Sequence, residues 1–303
     1  MSDPKPAPAD RPKSIPESVP ENLIQTLALE RIEVNLFRGV SRDQHGRIFG
    51  GLVIGQALMA AYRTVEGRHC HSLHCYFIRP GDPSVPILYE VDRARDGRTF
   101  TTRRVTAIQH GEQIFNLAAS FQVPEEGVDH QEPMPPVPTP EQLAPEREIR
   151  LAMLEKMPAA MREAALRPRP IDLRPVDPQD FMAPTVRSST QDVWMRAVAP
   201  LGDDVAVNHC VIAYASDMSF LSTSMRPHGM GWQTPGLQSA SLDHAVWFHR
   251  PSQFNAWHLY HQTSPSASGS RGFNLGQIYT ADGKLVASTA QEGLMRYRAP
   301  VEA

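Results

Sequence analysis

Apolar and polar positions along this chain fall into two blocks that follow the same order. In the first block, residues 52–62 are apolar on almost every face, with Val53, Ile54, Ala57, Leu58, Met59, Ala60 and Ala61. A helix without a polar stripe is a buried helix. Gly51 and Gly55 lie four residues apart, so their missing side chains let a neighbouring backbone come close. Strand-like runs rich in β-branched and aromatic residues follow at 71–79, 86–94, 99–109 and 113–123, with turns at Pro80-Gly81-Asp82 and Asp96-Gly97. Ahead of the helix come a short amphipathic segment (Leu23, Ile24, Leu27, Leu29) and a strand-like run at 31–37. The second block opens with a strand-like run at 186–198. A helix rich in apolar and small residues follows at 208–221, then strands at 239–249, 256–264, 270–280 and 284–297.

The blocks also share wording. Phe77, Arg79 and Pro80 recur as Phe248, Arg250 and Pro251, an offset of 171 residues, and the same offset carries 115–120 onto 286–291. Two matches in register point to a duplicated domain, here an α+β unit of one buried helix and an antiparallel meander. Between the blocks, thirteen of the chain's 28 prolines fall from Pro124 to Pro184, which excludes a central sheet strand there. Residues 146–166 have helical composition broken by Pro158, which predicts two short helices in a linker. The expected domains are 22–124 and 185–298, joined by a linker at 125–184, with a Pro-rich disordered tail at 1–21 and a short tail at 299–303.

Composition narrows the function classes. With 41% hydrophobic residues, 21% charged residues and a net charge of −3, nucleic acid is not an expected partner. No apolar run approaches the roughly 20 residues of a membrane span, so no membrane partner is expected. No secretory signal is read at the N-terminus. Cys70, Cys75 and Cys210 are few and odd in number, as in a reducing compartment, and cytoplasm is the expected location. His69, His71, His74, Cys70 and Cys75 invite a zinc site, but strand alternation splits them and no second Cys-x-x-Cys pair exists, so no metal is expected. The absence of Gly-x-Ser-x-Gly disfavours an α/β-hydrolase.

Three polar residues in the second block stand where burial is expected. Asp217 lies in the apolar helix, Ser241 opens the strand leading to Phe248, and Gln291 lies in the last strand. A buried carboxylate needs partners, and a hydroxyl and an amide on strands facing the helix supply them. The first block acts as a control. Its helix carries no carboxylate from Leu52 to Tyr62, Gln56 being the one polar side chain before Tyr62, and at the 171 offset Gln291 faces Ser120. Structural constraint acts on both copies alike, so the asymmetry favours function.

The segments ending at Asp217, running from Ser241 to Pro251, and around Gln291 resemble the bacterial acyl-CoA thioesterase II family. So do Phe37-Arg38-Gly39, Phe49-Gly50-Gly51 and Phe77-Ile78-Arg79-Pro80-Gly81, the resemblance covering about 22–298. It implies a tandem (double) hotdog, in which two long central helices are each wrapped by an antiparallel sheet. It further implies hydrolysis of fatty acyl-CoA thioesters with no cofactor, and the family's catalytic Asp, Ser/Thr and Gln map onto Asp217, Ser241 and Gln291. Gly50, Gly51, Arg79, Arg250 and Arg271 are candidates for contact with the acyl-CoA, with Arg103 and Arg104 behind them. A homo-oligomer of double-hotdog subunits is expected. Asp217 can act as general base on a water or attack the thioester itself. Two rival readings are an enoyl-CoA hydratase, suggested by Asp243, His244 and His249, and a non-catalytic acyl-CoA binding protein. Strand alternation places Asp243 with Ser241 and turns His244 away, against the hydratase.

Overall fold

The computed structural model describes residues 22–41 and 46–299. The expected tail at 1–21, and all but the first residue of that at 299–303, lie outside the described residues. The helices are α1 (Leu23–Leu27), α2 (Gly50–Tyr62), α3 (Glu146–Ala152), α4 (Ala159–Leu166), α5 (Val205–Ser216) and α6 (Ser222–Met225). The first strands are β1 (Glu30–Glu33), β2 (Leu36–Gly39), β3 (His69–Phe77), β4 (Ile87–Asp96), β5 (Phe100–Gln109) and β6 (Glu112–Gln122). The rest are β7 (Ile171–Pro175), β8 (Thr190–Ala197), β9 (Leu237–Ser241), β10 (Asp243–Phe248), β11 (His258–Ser268), β12 (Arg271–Thr280) and β13 (Leu285–Tyr297).

All thirteen strands join one antiparallel sheet, ordered β1-β2-β4-β5-β6-β3-β10-β13-β12-β11-β8-β7, with β9 also paired to β13. Outward from the β3–β10 seam, β3-β6-β5-β4-β2 is matched by β10-β13-β12-β11-β8. This is the tandem hotdog, its two sheets fused edge to edge. At the seam, His74 pairs with Ala245, the residue onto which the 171 offset carries it, so a local two-fold passes between them.

Inside the sheet, α2 and α5 pack on each other. A Cβ on Gly51 would fall 2.3 Å from the Tyr214 carbonyl oxygen, and one on Gly55 3.1 Å from that of Cys210, so the glycines set how closely the helices approach. Every residue of α2 from Gly51 to Tyr62 is buried, which accounts for the missing polar stripe. Gln56 is satisfied there: its amide donates to the Thr26 and Val40 carbonyls, and Tyr89 Oη donates to its Oε1 at 2.9 Å.

The structure departs from the expected elements in four places. Asp217 caps α5 rather than lying inside it, because the helix stops at Ser216 and the chain turns through Ser219 at φ 61°. The stretch expected as linker contributes β7, an edge strand that ends in Pro175, where a missing N–H costs no ladder bond. The single strand expected at 239–249 is broken at Leu242. Ser241 pairs with Gly293 but Ala245 with Ala290, so one extra residue is accommodated as a bulge between them.

The fourth concerns the control. His74 pairs with Ala118 and Ala245 with Ala290, so the last strands of the two halves correspond at an offset of 172, not 171. The counterpart of Gln291 is therefore Ala119, and Ser120 matches Glu292. A one-residue slip turns a side chain to the other face. Ser120 accordingly meets His71 Nε2 at 2.8 Å on the outer side.

Candidate active site

Three elements converge at the amino end of α2. Asp217 arrives from the end of α5, Ser241 from β9 and Gln291 from β13. Gln291 Nε2 donates to Asp217 Oδ1 at 2.6 Å, and Ser241 Oγ donates to the same oxygen at 3.2 Å. Gln291 Nε2 also lies 3.2 Å from Ser241 Oγ. The Gly51 backbone N–H completes the shell around the carboxylate. Burial pushes the Asp217 carboxyl above its ordinary value, while the bonds from Gln291, Ser241 and Gly51 pull the other way. Asp217 is nonetheless incompletely covered, whereas Gln291 is wholly buried.

Gly50 is required here by contact. A Cβ at this position would lie 2.6 Å from Asp217 Oδ2 and 2.9 Å from the Phe77 ring. Phe77 and its pseudo-symmetric mate Phe248 thus differ in surroundings: Phe77 faces the acid, and Phe248 stacks on His209 with ring centroids 4.2 Å apart.

The bulge at Leu242 changes the reading of His244. Ser241 and His244 both point inward, while Asp243 turns aside to accept the Glu292 N–H at 2.6 Å. The alternation expected from sequence is therefore reversed, and His244 is the one that joins the site. Its Nδ1 is 3.1 Å from Gln291 Nε2 and its Nε2 is 2.8 Å from Ser216 Oγ. With both nitrogens engaged and burial holding the imidazole down to about 3, it is no base for a hydratase. Sequence reasoning also passed over Asn274, fully buried and directly opposite Gln291 in the β12–β13 register. Both amide atoms of Asn274, and Gln291 Oε1, are buried without a hydrogen-bond partner among the described residues.

The corresponding place in the first half is chemically different. Matching the helix caps Phe49 and Asp204 sets Tyr62 against Asp217, and the 171 offset sets Cys70 against Ser241. Tyr62 Oη accepts the Cys70 N–H at 2.9 Å and lies 2.8 Å from His209 Nδ1. Burial raises the Cys70 and Tyr62 pKa values well beyond neutral pH. Tyr62, Cys70 and Ala119 replace the acid, hydroxyl and amide, and no carboxylate occupies the position of Asp217.

The arginine candidates are engaged in varying degree. Arg79 Nη1 donates to the Gln113 carbonyl at 2.7 Å and Arg250 Nη1 to that of Leu285 at 2.7 Å, the same bond at equivalent places. Arg79 also pairs with Glu112 at 2.9 Å, and Arg250 with Asp129. Arg103 is buried, its guanidinium spread over Thr64, Arg95, Thr102 and Asp96. Arg271 reaches Glu292 at 2.7 Å on the exposed side, and Arg104 is exposed. The histidines and cysteines of 69–75 disperse to separate partners: His71 to Ser120, His74 edge-on to Trp247, Cys75 Sγ to the His244 carbonyl.

An acid, a hydroxyl and an amide thus meet at one helix end of a tandem hotdog. Two family models cover most of the chain: acyl-CoA thioesterase N-terminal domain over 39–122 and acyl-CoA thioesterase over 170–294. Acyl-CoA thioesterase 2 of Haemophilus influenzae is 40% identical over 278 residues, spanning 91% of this chain and 97% of that protein. Human acyl-coenzyme A thioesterase 8 is 41% identical over 289 residues, 91% and 89% of the two chains. The crystal structure of the acyl-CoA thioesterase II TesB2 from Mycobacterium marinum superposes with a TM-score of 0.74 at 42% identity, covering 92% of this chain and 99% of that one. The chain belongs to the acyl-CoA thioesterase family.

Proposed function

We propose that this protein hydrolyses fatty acyl-CoA thioesters to the free acid and CoA, with Asp217, Ser241 and Gln291 acting on a water molecule. The observation that carries the assignment of residues is the shared Asp217 Oδ1, which takes hydrogen bonds from both other groups at the amino end of α2.

The chemistry follows from the bonds. With its amide N–H groups on Asp217 and His244, Gln291 keeps Oε1 buried and without a partner among the described residues, and we assign that oxygen as acceptor for one O–H of a water admitted to the site. Ser241, whose hydroxyl donates to Asp217 Oδ1, holds the acid beside that water. Asp217 takes a proton as the water oxygen attacks the carbonyl carbon. The first N–H groups of a helix have no intrahelical acceptor, so the amino end of α2 at Gly50 is the proposed donor to the developing oxyanion. Collapse of the tetrahedral species breaks the C–S bond, and the thiolate leaves with the proton Asp217 took. Direct attack by Asp217 through Oδ2, which accepts no side-chain hydrogen bond among the described residues, is the alternative. Solvent oxygen-18 in a single turnover tests which of the two occurs.

The same reading extends to assembly and place. Tyr76, Trp247, Phe273 and Leu275 are exposed on β3, β10 and β12, the outer side of the sheet around the seam, and a homo-oligomer burying this face is proposed. Light scattering on Trp247→Glu tests it: a smaller particle supports the face, and an unchanged mass excludes it. No helix of the described residues is long and apolar enough to cross a membrane. With three free cysteines, a cytoplasmic setting and a role in fatty-acid metabolism fit best.

A further inference from the structure

We propose that His244 is a positioning residue for hydrolysis, fixing through Ser216 which way the Gln291 amide faces; this rests on the reading of Asp217, Ser241 and Gln291 above. Ser216 Oγ has a single hydrogen, and the Ala213 carbonyl 2.9 Å away takes it. The hydroxyl must then accept from His244, so the proton of the neutral imidazole sits on Nε2, 2.8 Å from Ser216 Oγ. Nδ1 is left as a bare lone pair facing Gln291 at 3.1 Å. Only the NH2 end of an amide can meet a lone pair. The two N–H bonds of Gln291 are thus assigned, one to His244 Nδ1 and one to Asp217 Oδ1 at 2.6 Å, and Oε1 is turned away from both.

This restraint matters at one moment of the cycle. While Asp217 is ionised, its charge alone selects the NH2 end of Gln291. Once Asp217 has taken the proton from water, its O–H could instead donate to a flipped Oε1, and the remaining O–H of the tetrahedral species would lose its acceptor. His244 does not change protonation at that step, and it keeps the amide facing the same way until the thiolate recovers the proton. The restraint also closes on itself. Ser216 directly precedes Asp217 in the chain, and Tyr260 Oη donates to the Ser216 carbonyl at 2.9 Å, so the same residue anchors the imidazole and the acid. His244 is packed by Phe220, rings 5.8 Å apart, and its carbonyl accepts the Cys75 thiol at 3.2 Å.

Asparagine can place an acceptor oxygen where Nδ1 stands; leucine cannot. For His244→Leu, kcat on an acyl-CoA is expected to fall roughly 10–100-fold, the measure of supporting residues behind catalytic groups elsewhere, with KM within about twofold. His244→Asn is expected to restore most of the loss. Ser216→Ala frees the imidazole to place its proton on Nδ1 and is expected to lower kcat in the same direction. Asp217→Asn is run beside them. An inactive Asp217→Asn with a fully active His244→Leu overturns this inference and leaves the assignment of Asp217 standing; an active Asp217→Asn overturns that assignment. Should His244→Leu not fold, Ser216→Ala decides, and wild-type kcat in that variant overturns the inference. Equal losses in His244→Leu and His244→Asn, with both folded, also overturn it.

Discussion

Gln291 Nε2 lies 2.6 Å from Asp217 Oδ1, although the residues are 74 positions apart and come from the last strand and the end of the second central helix. The contact forms because Asp217 stands past the end of α5, free of the helical ladder, where it turns toward β13. It makes the acid at once a buried cost and a usable base. Burial raises its pKa, and the amide, hydroxyl and Gly51 N–H keep the charged form accessible.

The first consequence is in the pH profile. A general base acts only when deprotonated, so kcat/KM is expected to fall as pH drops through the Asp217 pKa, raised above the ordinary 3.8. An acid limb in kcat/KM centred above that value, absent from any slowly hydrolysing Asp217→Asn protein, is the expected result. A limb at or below it would place the carboxylate in a solvent-like setting.

The two glycines opening α2 are expected to fail differently. The Cβ of Gly50→Ala meets Asp217 Oδ2 and the Phe77 ring, both side chains, so the carboxylate shifts and kcat falls with modest loss of stability. The Cβ of Gly51→Ala meets the Tyr214 carbonyl at 2.3 Å, a backbone atom that moves only with α5. A loss of about 1–3 kcal/mol is expected, as for other overpacked cores. Thermal melts beside kcat for both variants separate the two.

Arg79 and Arg250 make the same bond to the neighbouring strand at equivalent places. Replacing either by Ala removes a charge-assisted bond to a carbonyl and is expected to cost about 1 kcal/mol or less at the half-exposed Arg79 and somewhat more at Arg250, with KM for acyl-CoA within twofold. A tenfold rise in KM for one variant alone would assign that arginine to the CoA phosphates. Arg271→Ala, which removes the ion pair with Glu292, serves as the comparison.

Much of this was legible in the sequence, and the rest was hidden for physical reasons. The all-round apolar run at 52–62 announced a buried helix, and the recurrence of Phe77-x-Arg79-Pro80 announced the duplication. Asp217, Ser241 and Gln291 were singled out because buried polar residues need partners, and they do meet. What alternation could not reveal is the bulge at Leu242, one extra residue that turns Asp243 out and His244 in. A strand of period two carries no mark of a bulge unless a glycine or proline signals it, and neither is present. The mismatch of Ser120 with Gln291 has a different origin: the turn joining the last two strands is one residue longer in the second half, with Tyr279 paired to Leu285 where Ile108 pairs with Gln113. Strand β7 escaped notice because an edge strand tolerates the proline that a central strand excludes.

Isotope labelling distinguishes the two roles of the carboxylate. In a single turnover in oxygen-18 water, attack by a water activated by Asp217 places the label only in the released fatty acid. Attack by Asp217 itself forms an anhydride, and its hydrolysis at the protein carbonyl leaves label in the Asp217 carboxyl. Label in the product alone, with an unlabelled active-site peptide by mass spectrometry, is the expected result.

The most direct measurement is kcat of Asp217→Asn across a series of acyl-CoA lengths, taken together with its melting temperature. Loss of the proton acceptor is expected to lower kcat by roughly 10²–10⁴ on every chain length. A group whose folded pKa is raised costs stability above that pKa, so removing the charge is expected to raise Tm near neutral pH, by about 1.5–2 °C per kcal/mol relieved. A folded Asp217→Asn protein that turns over acyl-CoA at the wild-type rate would contradict the account.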